Sequence, residues 1–145
     1  MDRSVAIAIT AAAGGLIALQ APINAGLGKS TGSLVAALVS FGVGTMALAL
    51  IVVIAREGGG VASIPDVSPI YLVGGLLGAV YVTCALIAVP VFGAGGVAAG
   101  TITGQLVASL VIDRLGAFGL EQTPITFGRV AGVALLMLGT LLVVR

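Results

Sequence analysis

The sequence has no histidine, no tryptophan, one cysteine and few charged residues. Lys, Arg, Asp and Glu together make up only 8% of its 145 residues, whereas 59% are hydrophobic. A water-soluble domain is about one quarter charged and needs that polar surface to stay dissolved. Because lipid-exposed segments must satisfy their own backbone hydrogen bonds, a mean hydropathy of +1.29 predicts an all-α integral membrane protein.

The same scarcities exclude several kinds of functional site. Without histidine, and with Cys84 alone, the chain cannot build a Cys/His metal centre or an internal disulfide. A net charge of +1 without a basic block argues against nucleic-acid binding. No nucleophile–base pair is recognisable, so the sequence predicts no enzyme, no metal and no cofactor. Cys84 itself lies in an apolar run and is expected to be a small packing residue.

Apolar runs between the charged residues have the length of membrane spans. About 20 apolar residues cross the hydrocarbon core, but the uncharged run from Pro69 to Asp113 is too long for one helix. We expect it to break at VPVFGAGG, where Pro90 and three glycines favour a turn. The prediction is a single transmembrane domain over residues 1–145 with five helices, at about 4–27, 32–55, 69–90, 95–112 and 125–144.

Lys and Arg favour one orientation only weakly. The excess of positive residues marks the cytoplasmic side, and a count of four against two places the N-terminus in the cytoplasm. So small a bias leaves insertion in both orientations open. The predicted cytoplasmic side holds Arg3, Arg56, Arg114 and Arg129, and the opposite side holds Lys29 and Arg145.

Glycine is abundant, with 23 copies, and its spacing predicts close helix packing. In lipid, apolar helices associate where small residues let their backbones approach. The simplest interpretation is packing within one subunit, but the number of such positions also allows self-association, with the last helix as the leading candidate. The glycines with four-residue spacing are Gly74 and Gly78, Gly100 and Gly104, and Gly128 and Gly132.

Polar side chains inside the predicted spans mark a candidate binding site, since such groups cost free energy unless they are satisfied. On the first helix, Gln20 and Asn24 share a face with Thr10. Pro22 between them is expected to kink the helix and to leave the carbonyl of Ala18 without a donor. A bent helix of this kind can line a polar cavity.

A second polar face lies on the fourth predicted helix. The candidate substrate-binding residues are Gln20, Asn24, Gln105, Ser109, Thr101 and Tyr81. The alternative is that these groups only form hydrogen bonds between helices. No Asp, Glu, Lys or His lies within a predicted span, so the sequence offers no obvious proton carrier. Asp113 lies at a helix end, where we expect it to pair with Arg114.

Four segments together resemble the short five-helix, YdcZ-like branch of the drug/metabolite transporter superfamily. The resemblance covers the chain from about Leu19 onward, and the first and third segments are its specific part. The segments are LQAPINAGLGKSTGSLVAALVSFGVGTMAL, GGLLGAVYVTCALIAVPVFGAGG, GQLVASLVIDRLGAFG and GRVAGVALLMLGTLL.

The resemblance implies a bacterial inner-membrane protein and a half-transporter that dimerises, either with itself or with a paralogue, often in antiparallel arrangement. Related small multidrug exporters carry a glutamate on the first helix, and Gln20 and Asn24 loosely take its place here. The leading hypothesis is therefore a subunit of an exporter of small metabolites or drug-like molecules that works by alternating access. The alternative is a non-transporting accessory or assembly subunit that binds partners through its glycine grooves.

Overall fold

The structure is a computed structural model that describes residues 2–144; Met1 and Arg145, the latter counted in the charge bias, lie outside this range. The predicted all-α class is confirmed. Over the described residues the chain forms four α-helices; Gly32 alone separates the first two, and 3₁₀ segments lie in the other two connections. The helices are α1 (Arg3–Thr31), α2 (Ser33–Ala55), α3 (Val73–Leu115) and α4 (Phe127–Val144), and the 3₁₀ segments are Gly58–Asp66, Pro69–Leu72 and Ala117–Gly119.

Helix α3 is interrupted near its middle. Phe92, with φ −138° and ψ 20°, and Gly93, with φ 73° and ψ 171°, both depart from helical geometry. All four helices are long and apolar enough to cross a membrane, but the 43 residues of α3 would extend about 65 Å as one straight helix. That is more than twice the hydrocarbon core of roughly 30 Å. The described chain thus has four to five membrane-capable helices, and this length favours five.

The interruption has a local cause in the sequence. Gly93 adopts a positive φ of 73°, which costs glycine little because it has no Cβ. A Cβ on Gly96 would lie only 2.6 Å from Cδ2 of Phe92. The Phe92 ring therefore folds over Gly96, and both glycines serve the non-helical segment. The interruption lies within VPVFGAGG, where a turn is predicted.

Contacts divide the chain into two compact units. The continuous unit is Leu19–Pro90, and the split unit comprises the described parts of Met1–Ala18 and Val91–Arg145. Both boundaries lie at positions affected by proline: Pro22 leaves the carbonyl of Ala18 without its usual helical donor, and Pro90 ends the continuous unit. The single domain over residues 1–145 and the kink at Pro22 stay predictions.

Small side chains form the core of the continuous unit. Ala36 is completely buried, Leu86 is 2% exposed, and Ala25, Ala37 and Val82 complete the cluster. A Cβ on Gly28 would meet Cβ of Ala36 and Cδ1 of Leu86 at 3.7 Å each. The end of α1, the start of α2 and the first part of α3 therefore pack at short distance.

In the split unit, two threonines join α3 to α4. The Oγ1 atoms of Thr103 and Thr140 are 2.7 Å apart, and the Thr140 hydroxyl also lies 3.1 Å from the carbonyl oxygen of Ala99. Hydrogen bonds between membrane helices are worth about 0.6–2 kcal/mol each. The pair ties α4 to the second half of α3.

Only one of the six glycines singled out for close packing meets a neighbour within residues 2–144. A Cβ on Gly78 would lie 3.3 Å from Cζ of Phe41, whereas one on any of the other five would meet nothing within 4 Å. Close packing at those five positions therefore stays a prediction. Cys84, expected to be a packing residue, is exposed in the structure.

The loop after α3 folds back on the end of that helix. The Thr123 N–H donates to the Asp113 carbonyl at 2.9 Å, and Nε2 of Gln122 donates to the Leu115 carbonyl at 3.4 Å. Gly116 lies in this loop with φ 60°, and Gly119 follows with φ 82°. These contacts hold the loop close to the helix end.

The two loop glycines form a matched pair for a stability test. Gly119→Ala should lower the free energy of unfolding by about 1 kcal/mol, the backbone cost of a left-handed residue. Gly116→Ala should lower it by about 2 kcal/mol, because its Cβ would also lie 2.7 Å from Cγ of Gln122 and 3.0 Å from the carbonyl oxygen of Leu120. SDS titration in mixed micelles, followed by circular dichroism, measures both. Equal losses would show that the contacts of Gly116 do not matter.

Candidate functional site

A groove in the split unit contains two of the candidate substrate-binding residues. The groove is an open depression between the first part of α1 and the second part of α3, with a volume of about 640 Å³. We call it the Gln105 groove. Its lining residues are Ile7, Thr10, Ala11, Ile102, Gln105, Leu106 and Ser109.

The polar groups of the Gln105 groove differ in what they can still bind. The Thr10 hydroxyl donates to the carbonyl of Ala6 at 2.8 Å, and the Ser109 hydroxyl donates to that of Leu106 at 2.9 Å. Their oxygens keep lone pairs for an incoming donor. The Gln105 amide is exposed and forms no hydrogen bond with any residue in the range 2–144. An unsatisfied polar group in hydrocarbon is costly, so at membrane depth this amide would be satisfied by water, a ligand or another helix.

One turn beyond Ser109, an ion pair closes this end of α3. The Arg129 guanidinium donates to a carboxylate oxygen of Asp113 through Nη2, and both side chains are about one third exposed. The expected pairing with Arg114 is therefore wrong. Arg114 is exposed, and the partner comes instead from the first turn of α4. Within the described chain, Nη1 of Arg129 is buried without a hydrogen-bond partner.

The continuous unit has a smaller groove around Gln20. This groove, called the Gln20 groove, has a volume of about 200 Å³. Its lining residues are Gln20, Ser40, Phe41, Gly44, Thr45 and Leu48. Gln20 is exposed, and its amide forms no hydrogen bond inside the described chain. Like Gln105, it presents a free amide on an apolar helix.

Asn24, by contrast, already forms a hydrogen bond with a residue of another helix. It is only 6% exposed, and its Nδ2 donates to Oγ of Ser40 at 3.1 Å. Tyr81 is half-buried and packs against the alanine-rich core. Within the continuous unit, Asn24 thus joins two helices and Tyr81 packs against the core, and their roles in substrate binding stay predictions.

The six candidates divide evenly between the two units. Gln20, Asn24 and Tyr81 belong to the continuous unit, and Gln105, Ser109 and Thr101 to the split unit. Thr101 is half-buried, one turn before Gln105, and does not line the Gln105 groove. Thr10, placed on one helix face with Gln20 by the sequence, lines the Gln105 groove instead.

Sequence reasoning missed several polar partners. Ser40 accepts the bond from Asn24, Arg129 neutralises Asp113, and Thr103 pairs with Thr140. A usable signal existed for Ser40, since a buried asparagine in a membrane helix needs a partner on another helix. For the threonines, the only signal was a hydroxyl in each of two neighbouring spans.

A family model described as "Putative inner membrane exporter, YdcZ" matches residues 5–142, nearly the whole chain. The chain belongs to the YdcZ family. Membership confirms the resemblance seen in the sequence and places the protein in the inner membrane as a multi-pass protein of an exporter family, not an enzyme family. No curated protein and no solved structure matches this YdcZ chain.

Proposed function

We propose that this YdcZ-family protein is one subunit of a dimeric exporter that moves small metabolites or drug-like molecules across the inner membrane by alternating access. One observation carries the proposal: Gln20 and Gln105 each present an amide without an internal partner to a groove between apolar helices. Polar groups at membrane depth are tolerated where they line a water-filled pathway. Small polar or amphipathic substrates suit such groups better than a bare cation.

The open glycine positions support a dimer. Gly100, Gly104, Gly128 and Gly132 have free space where a Cβ would stand, so their faces are accessible to another helix. An antiparallel pair would be an inverted repeat made from two chains, with the substrate site near the midplane. The weak Lys and Arg bias accords with insertion in both orientations. The second subunit is another copy or a paralogue of similar length.

The Asn24–Ser40 bond favours a second candidate function. Here a polar group predicted to meet substrate instead joins α1 to α2. If Gln20 and Gln105 likewise formed hydrogen bonds with helices of a partner protein, the chain would be a non-transporting accessory or assembly subunit. The two functions differ in whether the grooves contain water.

Thiol labelling in native membranes separates the two functions. With Cys84→Ser as background, Gln20→Cys and Gln105→Cys should react with a water-soluble maleimide at least about tenfold faster than lipid-facing cysteines, because only the thiolate reacts and it forms in water. Met46→Cys and Val107→Cys are the matched controls: both residues are exposed, on the same helices as the groove walls, but line neither groove. Groove cysteines that label as slowly as these controls would favour the accessory function.

A further inference from the structure

We infer that the Gln105 groove binds an uncharged molecule that combines hydroxyl or N–H donors with an apolar group. The inference rests on the proposed function, whose substrate class it names. Three properties of the groove support this ligand class: its hydrogen-bonding groups, the absence of charge from its described lining residues, and its apolar surface.

Hydrogen bonding in the groove calls for a donor on the ligand. Thr10 donates its single proton to carbonyls of its own helix, and so does Ser109. Both hydroxyl oxygens can therefore only accept from a ligand. The Gln105 amide, without a bond inside the described chain, can donate through its NH₂ and accept through its carbonyl. A ligand with several O–H or N–H groups can satisfy both hydroxyl oxygens and the Gln105 carbonyl, whereas an ether of equal size has no donor and could only accept from the Gln105 NH₂.

No charged side chain lines the groove within the described residues. Asp113, one turn beyond Ser109, is the carboxylate closest in sequence to the groove wall, and the Arg129 guanidinium neutralises it. At the other end, Asp2 and Arg3 precede Ile7 and contribute one charge of each sign. Arg3 and Arg114 are exposed and are not among the lining residues. A charged ligand would therefore leave water without meeting a counter-ion in the groove wall, which costs free energy unless the charge is paired. The groove therefore selects against both cations and anions.

The remaining wall is apolar and too large for a polar group alone. Its apolar lining residues are Ile7, Ala11, Ile102 and Leu106, around a volume of about 640 Å³. Burial of apolar surface contributes roughly 25 cal/mol per Å². A ring or short alkyl chain beside the donor groups would use this surface, so the ligand is an uncharged amphiphile.

Phenyl β-D-glucoside is a suitable probe because it joins an apolar ring to several hydroxyl donors and is uncharged. Three analogues change one property each: the glucuronide is anionic, replacement of the primary hydroxyl by an amine gives a cation, and full O-methylation removes every donor. Binding is measured as protection of a thiol in the groove. The protein carries Cys84→Ser and Ala11→Cys, is held in lipid nanodiscs, and is labelled with a water-soluble maleimide.

The glucoside should slow labelling of the cysteine at position 11 in a saturable manner. Each analogue should need at least about fivefold higher concentration for the same protection, since one lost neutral hydrogen bond is worth about 1 kcal/mol, or about fivefold in affinity, and an unpaired charge costs more. Gln105→Leu should weaken protection by the glucoside about tenfold. Thr83→Val serves as the control, because that hydroxyl is bonded to its own helix in the continuous unit.

Three results would overturn the inference: equal protection by a charged analogue, equal protection by the O-methylated one, or no protection by the glucoside at millimolar concentration. Uptake of radiolabelled glucoside into proteoliposomes separates the inference from the proposed function. Protection without uptake keeps the groove's ligand class and contradicts transport. Uptake without protection keeps transport and contradicts this groove as the site.

Discussion

Ala36→Leu is expected to lower the free energy of unfolding by about 3 kcal/mol, the upper range for overpacking a close-packed core. Ala36 is completely buried, and its Cβ lies where α1 approaches through Gly28 and α3 through Leu86. Three additional carbon atoms cannot enter without moving the backbone of α1 away from α2. The small residues at this junction are thus required by the distance between helices.

The control for this prediction lies on the same helix. Ala49→Leu makes the same chemical change at an exposed position of α2 and should stay within about 0.5 kcal/mol of the parent. Both variants are compared by SDS titration in mixed micelles with circular dichroism. If Ala49→Leu destabilises the protein as much as Ala36→Leu does, packing at Ala36 is not the cause.

Asp113→Leu is expected to lower the free energy of unfolding by about 2 kcal/mol. Removal of one partner from a buried ion pair costs about 3–5 kcal/mol, and the partial exposure of both side chains reduces that figure. The change leaves the Arg129 guanidinium, with its buried Nη1, without a counter-charge. Arg129→Leu should have a similar effect, because it leaves the Asp113 carboxylate unpaired.

The double variant tests whether the pair itself is responsible. Asp113→Leu combined with Arg129→Leu should recover to within about 1 kcal/mol of the parent, because replacing both ions by apolar residues removes two desolvation costs together. Arg114→Leu is the neighbouring control: its side chain is exposed, and the change should stay within about 0.5 kcal/mol. Additive losses in the double variant would mean that the two residues act independently.

The spans and the break in α3 could be predicted because their causes are local. Twenty or more apolar residues between charges favour a membrane helix whatever surrounds them. Pro90 and the glycines that follow it disfavour continued helix by their own backbone chemistry, and the structure departs from helical geometry at Phe92 and Gly93. Neither feature depends on which helices are neighbours.

The partners of polar residues could not be predicted in the same way. Asp113 was assigned to the adjacent Arg114, but its ion pair is formed with Arg129, 16 residues away. Consecutive residues on a helix point in different directions, so adjacency in sequence is a poor guide to side-chain contact. The Asn24–Ser40 bond joins residues equally far apart in the chain. Which residues meet depends on how helices are placed, and hydropathy contains no information on that.

The glycine pattern shows the same limit. Four-residue spacing identifies faces on which helices can approach closely, and it identified Gly78, which faces Phe41. It could not distinguish Gly78 from Gly74, whose position is open. Spacing defines a face, and only a neighbouring helix decides whether that face is used.

By itself, the sequence determined that this protein is helical, multi-pass and a member of the YdcZ inner-membrane family, because hydropathy, charge placement and local motifs act along the chain. The tertiary structure decided which polar groups are already satisfied. It paired Asn24 with Ser40 and Asp113 with Arg129, and left the amides of Gln20 and Gln105 open to their grooves. The physical reason is that a hydrogen bond needs its donor and acceptor atoms within about 3 Å. For side chains on different helices, only the packing of those helices brings the atoms so close.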